Sequence, residues 1–123
     1  MHVAEWIPAF AGMTTEIGVT TEIGMMGYID KLPCVYILAS KPYGSLYIGV
    51  TSNLPKRIWE HKNHIVKGFT EKYQITNLVY YQQFETMQGA IYREKQLKKW
   101  NRQWKIRLIC EQNPNWIDLY YSL

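Results

Sequence analysis

A chain of 123 residues is long enough for one compact domain with a modest core and too short for a second of ordinary size. Its hydrophobic share of 47% is typical of globular proteins, which excludes wholesale disorder, and no apolar stretch approaches the ~18 residues of a membrane span. The net charge of +4 combines an acidic first segment, residues 1–27, with a basic remainder that holds all 14 Lys and Arg. A basic body favours an anionic partner, nucleic acid first, although a solvated basic surface explains the charge equally well.

Residues 1–27 are predicted to lie outside the folded domain. They contain the direct repeat TTEIGVTTEIG at 14–24, whose unit is too short and has too few copies for a repeat fold. We interpret 1–27 as a disordered tail, or as a spurious extension of a protein that starts at Met25 or Met26, and we assign 28–123 to one domain.

Targeting and cysteine signals point to the cytoplasm. The first residues lack the basic start and the long apolar core of a secretory signal. Cys34 and Cys110 are far apart in no metal-like spacing, which is typical of buried thiols in a reducing compartment, and a disulfide between them is disfavoured.

The body begins with two predicted strands. CVYILAS at 34–40 is almost continuously apolar, as in a strand covered on both faces. KPYGS at 41–45 has the Pro and Gly of a turn, and LYIGVT at 46–51 is the return strand. LVYYQQF at 78–84 is predicted as a third strand.

Three helices complete the pattern. Ser52 or Asn53 caps the first, which has Pro55 in its first turn, and its core stripe comprises Leu54, Ile58 and Ile65, with Gly68 at its end. Thr86 caps the second, which runs to about Trp100, and the third covers 104–112. The order ββαβαα predicts an α+β fold, a small sheet flanked by helices.

The two strands of the hairpin each carry a tyrosine, Tyr36 and Tyr47. A four-residue loop, 42–45, places both on one face of the sheet together with Gly49, which then leaves open space beside them, whereas a five-residue loop separates them. If nothing else is considered, two core aromatics are the better explanation of these residues.

The first helix carries Arg57 and His61 at an i, i+4 spacing, which places both on one face beside the core stripe. Arginine binds phosphate in a bidentate manner, and histidine exchanges protons near neutral pH. The alternative is an ordinary solvated basic face. His64 lies on the same side and is a weaker candidate.

Glu94 interrupts the predicted apolar stripe of the second helix, at i+7 from Met87 and i+3 from Ile91. A buried carboxylate without a partner is costly, so it is expected to pair with a cation or to bind a metal. A salt bridge to Arg57 or Arg93 is the simpler account. A magnesium ligand is the other, because Mg²⁺ often takes one or two carboxylates and completes its shell with water and phosphate.

The motifs together resemble the GIY-YIG nuclease family, and more narrowly its small single-domain bacterial members. The resemblance rests on VYI at 35–37, YIG at 47–49, the R-x-x-x-H pattern at 57–61 and the later Glu94, and it covers about 33–121. It also extends over the stretches YIGVTSNLPKRIWEHKN, REKQLKKWNRQWKIRLI and NPNWIDLY. It implies a three-stranded antiparallel sheet flanked by helices.

The resemblance also implies site roles. Glu94 would bind one divalent metal, Mg²⁺ or another, and Arg57 would stabilise the scissile phosphate. Tyr36, Tyr47 and His61 would share activation of the attacking water, with one of the two tyrosines as general base. Gly49 would let the strand pass close to the substrate.

Two positions depart from the family pattern. Val35 and Ile37 make the first motif VYI rather than GIY, although its tyrosine remains. Many members have an asparagine at least about twelve residues after the glutamate, whereas Ile106 occupies that position here and Asn101 comes earlier.

The sequence therefore predicts a metal-dependent endonuclease that hydrolyses DNA. The alternative is a nucleic-acid-binding protein on the same fold with weak or no cleavage. A basic interaction domain for a protein partner has no feature in its favour. Preferred substrate, DNA or RNA, and oligomeric state stay open.

Overall fold

The computed structural model describes residues 32–66 and 68–123, so the predicted tail, 1–27, lies outside the described residues. In chain order the elements are β1 (Cys34–Ala39), β2 (Leu46–Thr51), α1 (Leu54–Lys62), α2 (Phe69–Lys72), β3 (Asn77–Gln83), α3 (Met87–Lys99), α4 (Arg102–Gln112) and a 3₁₀ helix (Leu119–Ser122). The α+β class and the three strands agree with the prediction. The four-residue α2 and the 3₁₀ helix were not predicted, because elements this short carry no periodicity.

The sheet has the strand order β2-β1-β3, and both pairings are antiparallel. All six residues of the central strand β1 are buried, which confirms that this strand is covered on both faces. In the β1–β2 ladder Tyr36 pairs with Gly49, and Leu38 pairs with Tyr47.

A bulge in β3 divides its side chains unequally between the two faces. Ile37 pairs with Tyr80 and Leu38 pairs with Leu78, so Val79 is an extra residue in β3. Val79 and Tyr80 therefore both belong to the core under one face, whereas Leu78 belongs to the core under the other.

Each face of the sheet has its own hydrophobic layer. The layer that α3 and α4 cover is the α3 side; it contains Val35, Ile37, Ala90, Leu97, Leu108 and Ile109. The layer that α1 covers is the α1 side; it contains Cys34, Tyr36, Leu38, Leu54, Ile58, Ile75 and Leu78, with Tyr47, Tyr81 and Tyr120 packed against it. Both cysteines are free thiols, and Cys34 is buried in the α1 side.

The helix starts follow their capping residues. The side chain of Asn53 accepts a hydrogen bond from the backbone N–H of Lys56 at 3.2 Å, and that of Thr86 accepts one from Gly89 at 3.1 Å. Both caps agree with the sequence prediction. At the start of α4, Asn101 caps in the same way, accepting from Trp104, so this helix begins two residues earlier than predicted.

The predicted end of the first helix is wrong. Helix α1 ends at Lys62, and Ile65 is 53% exposed rather than part of a core stripe. The third buried position of α1 belongs instead to His61. Gly68 precedes α2 with a φ of 108°, a backbone conformation that favours glycine.

Asn113 fastens the C-terminal segment to the sheet. Its side-chain amide donates hydrogen bonds to the carbonyl oxygens of Val79, at 3.1 Å, and Ile117, at 2.9 Å, and its oxygen accepts from the N–H of Ile117 at 3.0 Å. Asp118 then accepts from the N–H of Leu78 in β3 and pairs with Lys62 in α1. The chain after α4 is therefore part of the packed domain. In the described ranges no helix has the length and apolar character needed to cross a membrane.

We expect Asn113→Ala to lower the free energy of unfolding by about 2 kcal/mol or more, because it leaves buried backbone groups without partners. Urea denaturation measures this change. The matched control is Asn115→Ala, since Asn115 is exposed two residues later and surface changes of this kind stay within about 0.5 kcal/mol. Equal stabilities of the two variants would contradict the role assigned to Asn113.

Candidate active site

Tyr36 and Tyr47 lie on the same face of the sheet, with ring centroids 6.3 Å apart. The last ladder pair of the hairpin is Ala39 with Leu46, which leaves six residues, 40–45, between the strands. The loop is therefore longer than either of the two lengths considered from the sequence, four and five residues. Because six is also an even number, the alternation of side chains still brings the two tyrosines together.

Gly49 lies directly beneath the ring of Tyr36. A Cβ atom at position 49 would lie 2.5 Å from both Cζ and Oη of Tyr36, well inside van der Waals contact. The expectation of open space beside the tyrosines is therefore wrong, because the side chain of Tyr36 fills it. Glycine is required here so that this ring can lie across the backbone of β2.

Three buried side chains form a hydrogen-bonded chain from the sheet to α2. The hydroxyl oxygen of Tyr36 lies 3.1 Å from Nε2 of His61, and Nδ1 of His61 lies 3.2 Å from the hydroxyl oxygen of Thr70. Their exposed fractions are 2% for Tyr36, 2% for His61 and 3% for Thr70. His61 thus belongs to the core face of α1 and not to a solvated basic face.

Burial and nearby charges set the protonation of this chain. Burial raises the pKa of Tyr36, the neighbouring Tyr47, Glu94 and Glu60 raise it further, and the positive charge of Arg57 lowers it. Burial also lowers the pKa of His61 to about 4, an effect to which Arg57 adds and which Glu60 opposes. At neutral pH the pair is therefore a phenol beside a neutral imidazole.

Tyr47 is the more accessible of the two tyrosines. It is half-buried, whereas Tyr36 is 2% exposed. Its ring centroid lies 5.6 Å from that of His61, so one imidazole contacts both tyrosine rings.

Arg57 lies one turn before His61 on α1 with a side chain that is 41% exposed. Its guanidinium forms an ion pair with Glu60 at 3.3 Å. Exposed pairs of this kind contribute at most about 1 kcal/mol, so the guanidinium can exchange Glu60 for another anion at little cost.

Glu94 does not occupy the buried stripe of α3, as the sequence pattern suggested. The buried residues of this helix are Ala90, Arg93 and Leu97, so the buried charge is Arg93, whose guanidinium lies 4.9 Å from the ring centroid of Trp100. The stripe follows a 3–4 spacing through these positions, and Glu94 lies one residue further round the helix. Its carboxylate charge nevertheless acts on the hydroxyl of Tyr36.

The ion-pair partner of Glu94 is also different from the expected Arg57 or Arg93. Its carboxylate lies 2.9 Å from Nζ of Lys98, one turn later on the same helix. The side chain of Glu94 is 15% exposed and that of Lys98 is 54% exposed. The side chain of Glu94 is thus mostly buried at the border of α3, whereas its partner Lys98 extends into solvent.

The residues present restrict the kind of metal site. Among residues 32–66 and 68–123, no group of three or more His, Cys, Asp and Glu side chains is arranged to hold a metal ion. This does not fit a metal enclosed by protein ligands. It fits a Mg²⁺ ion that has one protein ligand, the carboxylate of Glu94. Such an ion keeps several of its waters and takes phosphate oxygens as further ligands.

The structure gives the two weaker candidates no hydrogen bond to the site side chains among the described contacts, and one residue was missed. His64 belongs to the turn after α1, with a φ of 58°, and Asn101 is the cap of α4. Thr70 was missed because it lies in a helix of four residues, and a threonine there gives no signal in the sequence.

The sheet is covered on both faces, the tyrosines and the histidine lie on its α1 side, and the charges of Arg57 on α1 and Glu94 on α3 act on Tyr36. This arrangement is that of a nuclease-like domain. Residues 32–107 match the family model of the GIY-YIG catalytic domain, which is more than half of the chain. The chain therefore belongs to the GIY-YIG family.

Its relatives are small bacterial proteins whose names state no activity. A UPF0213 protein of Staphylococcus saprophyticus is 38% identical over 77 residues, covering 63% of this chain and 93% of the relative. One from Clostridium perfringens is 40% identical over 79 residues, covering 64% and 84%. One from Staphylococcus aureus is 35% identical over 78 residues, covering 63% and 94%. No solved structure matches the chain.

We expect the free energy of unfolding to fall as the pH decreases from about 6.5, the pKa of an exposed histidine, to about 4, the pKa of His61 in the folded protein. In this range the unfolded chain binds a proton that the folded chain does not, so acid favours unfolding. Denaturant titrations across this range should give a shallower dependence for His61→Gln than for the unsubstituted protein. Parallel curves would contradict the lowered pKa.

Proposed function

We propose that the protein is a divalent-metal-dependent endonuclease that hydrolyses phosphodiester bonds in DNA. The observation that carries the proposal is the buried hydrogen bond between Tyr36 and His61, beside the accessible Tyr47. The charges of Arg57 and Glu94 act on the same Tyr36 hydroxyl. Membership of the GIY-YIG family and the basic body of the chain support a nucleic-acid substrate.

Tyr47 contacts the attacking water, because it is the more accessible tyrosine. Free tyrosine has a pKa of about 10, so a tyrosine that acts as a base near neutral pH needs an acceptor for its own proton. The neutral His61, whose ring contacts both tyrosines, is that acceptor. Because Nε2 is hydrogen-bonded to Tyr36, the Tyr36 hydroxyl passes its own proton to Nε2 and takes up that of Tyr47. Tyr36 keeps the imidazole in place through its hydrogen bond to Nε2.

Gly49 contributes to the site because it has no side chain. The ring of Tyr36 occupies the space that a side chain at position 49 would fill, so the glycine determines where the Tyr36 hydroxyl meets His61. We assign to Gly49 the role of positioning Tyr36 at the edge of the substrate site.

Arg57 and Glu94 handle the charge of the substrate. The half-exposed guanidinium of Arg57 binds the scissile phosphate, for which it exchanges its weak pair with Glu60. Glu94 would hold a divalent ion, with Lys98 turned toward solvent. When bound, such an ion supplies Lewis-acid stabilisation of the charge that develops on the phosphate and leaving oxygens.

A second candidate is a nucleic-acid-binding protein without cleavage. The observation in its favour is that Lys98 engages Glu94, and that the described part of the chain has no group of three or more His, Cys, Asp and Glu side chains arranged to hold a metal. The two functions differ in one measurable property, which is hydrolysis that depends on a divalent ion.

We expect Glu94→Ala to reduce Mg²⁺-dependent cleavage of labelled branched, flapped or single-stranded DNA by about 10²-fold or more, while DNA binding is retained. Cleavage is followed on denaturing gels and binding by fluorescence anisotropy, with labelled RNA as a second substrate. Glu111→Ala, at an exposed glutamate of α4, is the matched control and should cleave normally. Binding without cleavage by the unsubstituted protein would favour the second candidate.

We expect Tyr47→Phe to leave the free energy of unfolding nearly unchanged, because the ring and its packing remain. Cleavage should fall by roughly 10²-fold, the size of a general acid–base contribution. Tyr121→Phe removes a hydroxyl from a tyrosine that is 79% exposed and serves as control. Unchanged cleavage by Tyr47→Phe would make Tyr47 a packing residue.

A further inference from the structure

We propose that Thr70 is a positioning residue for His61. Its hydroxyl oxygen accepts a hydrogen bond from Nδ1–H and thereby fixes the tautomer whose Nε2 lone pair faces the hydroxyl of Tyr36. The distances are 3.2 Å to Nδ1 and 3.1 Å from Nε2 to Tyr36. The effect of Thr70 on catalysis rests on the proposed endonuclease function. The tautomer of His61 does not depend on that function.

Thr70 is held from two sides, so its hydroxyl has a fixed position. The residue is 3% exposed, and its carbonyl oxygen accepts a hydrogen bond at 2.9 Å from the N–H of Ile75, which is fully buried. The helical turn around it is closed by a bond at 2.9 Å from the N–H of Lys72 to the carbonyl of Gly68. The short helix α2 thus anchors one hydroxyl group against α1.

The direction of the two hydrogen bonds follows from the acidity of the groups. A neutral imidazole carries one N–H, and here it lies between two hydroxyl groups. A phenol is a stronger acid than an aliphatic alcohol, so Tyr36 is the better donor and its hydroxyl donates to Nε2. The remaining proton of His61 is then on Nδ1, and Thr70 is its acceptor.

A hydroxyl in this position has a specific advantage over a carboxylate. In the serine protease triad a buried aspartate holds the histidine in one tautomer and also stabilises its charged form. Thr70 holds the tautomer without adding a negative charge. His61 therefore stays neutral, and its one lone pair, on Nε2, faces the Tyr36 hydroxyl, from which it can take up a proton.

The test compares Thr70→Val, which keeps the shape of the side chain, with Thr70→Ser, which keeps the hydroxyl. In ¹⁵N-labelled protein, long-range ¹H–¹⁵N spectra report which ring nitrogen of His61 carries the proton. We expect the Nδ1–H tautomer in the unsubstituted protein and in Thr70→Ser. In Thr70→Val, we expect a shift toward the Nε2–H tautomer and about a 10- to 100-fold loss of kcat, the range seen when outer hydrogen-bond partners are removed. KM should change little.

Thr76→Val makes the same chemical change just before β3 and is the control, for which we expect neither effect. An Nε2–H tautomer in the unsubstituted protein would overturn the proposal. So would a Thr70→Val protein with unchanged tautomer, or one whose tautomer shifts while kcat stays the same. If Thr70→Val does not fold, the tautomers of the unsubstituted protein and Thr70→Ser decide.

The tautomer is measured without substrate, so the two proposals fail separately. If the unsubstituted protein cleaves no DNA but the tautomer shifts in Thr70→Val, the positioning of His61 is supported and the endonuclease function is refuted. If both proteins cleave at the same rate with the same tautomer, the function stands and the role of Thr70 is refuted.

Discussion

The site depends on one close approach, that of the Tyr36 ring to the backbone of Gly49. Because no side chain separates them, the ring lies flat across the edge strand and its hydroxyl reaches Nε2 of His61. Through Tyr36, Gly49 and His61, the central strand, the edge strand and α1 meet at this contact, and the accessible Tyr47 lies beside it. A larger residue at position 49 would displace all of these groups together, since each is placed by the one before it.

The buried and the more exposed side chains around this point differ in their electrostatics. Tyr36 and His61 are buried on the α1 side, and burial moves their pKa values far from the usual ones. The groups that carry permanent charge, Arg57 and Glu94, stay at the border of their helices, where each has a weak ion-pair partner. Burying those charges would cost more than such pairs return, which explains why only the uncharged members of the site are in the core.

Sequence reasoning predicted most of the fold and only part of the site. Patterns set by local chemistry, such as the caps at Asn53 and Thr86 and the apolar run of β1, were predicted correctly. The side of α3 that carries Glu94 was not, because a helical stripe tolerates an error of one position and only the packing shows that Arg93 is the buried charge. The contact between Thr70 of α2 and His61 was unpredictable for a different reason. A helix of four residues is too short to give a periodic pattern in the sequence.

The fastening of the C-terminal segment extends the functional unit beyond the family domain. The match ends at residue 107, but Asn113 and Asp118 lie after it, and Asp118 holds Lys62, the residue that follows His61 in α1. A chain shortened to the family boundary would lose half of α4 and the anchor at the end of the helix that carries the imidazole. Biochemical tests of this chain therefore need residues 108–123, because Asp118 holds Lys62 of the histidine helix beside Leu78 of the sheet.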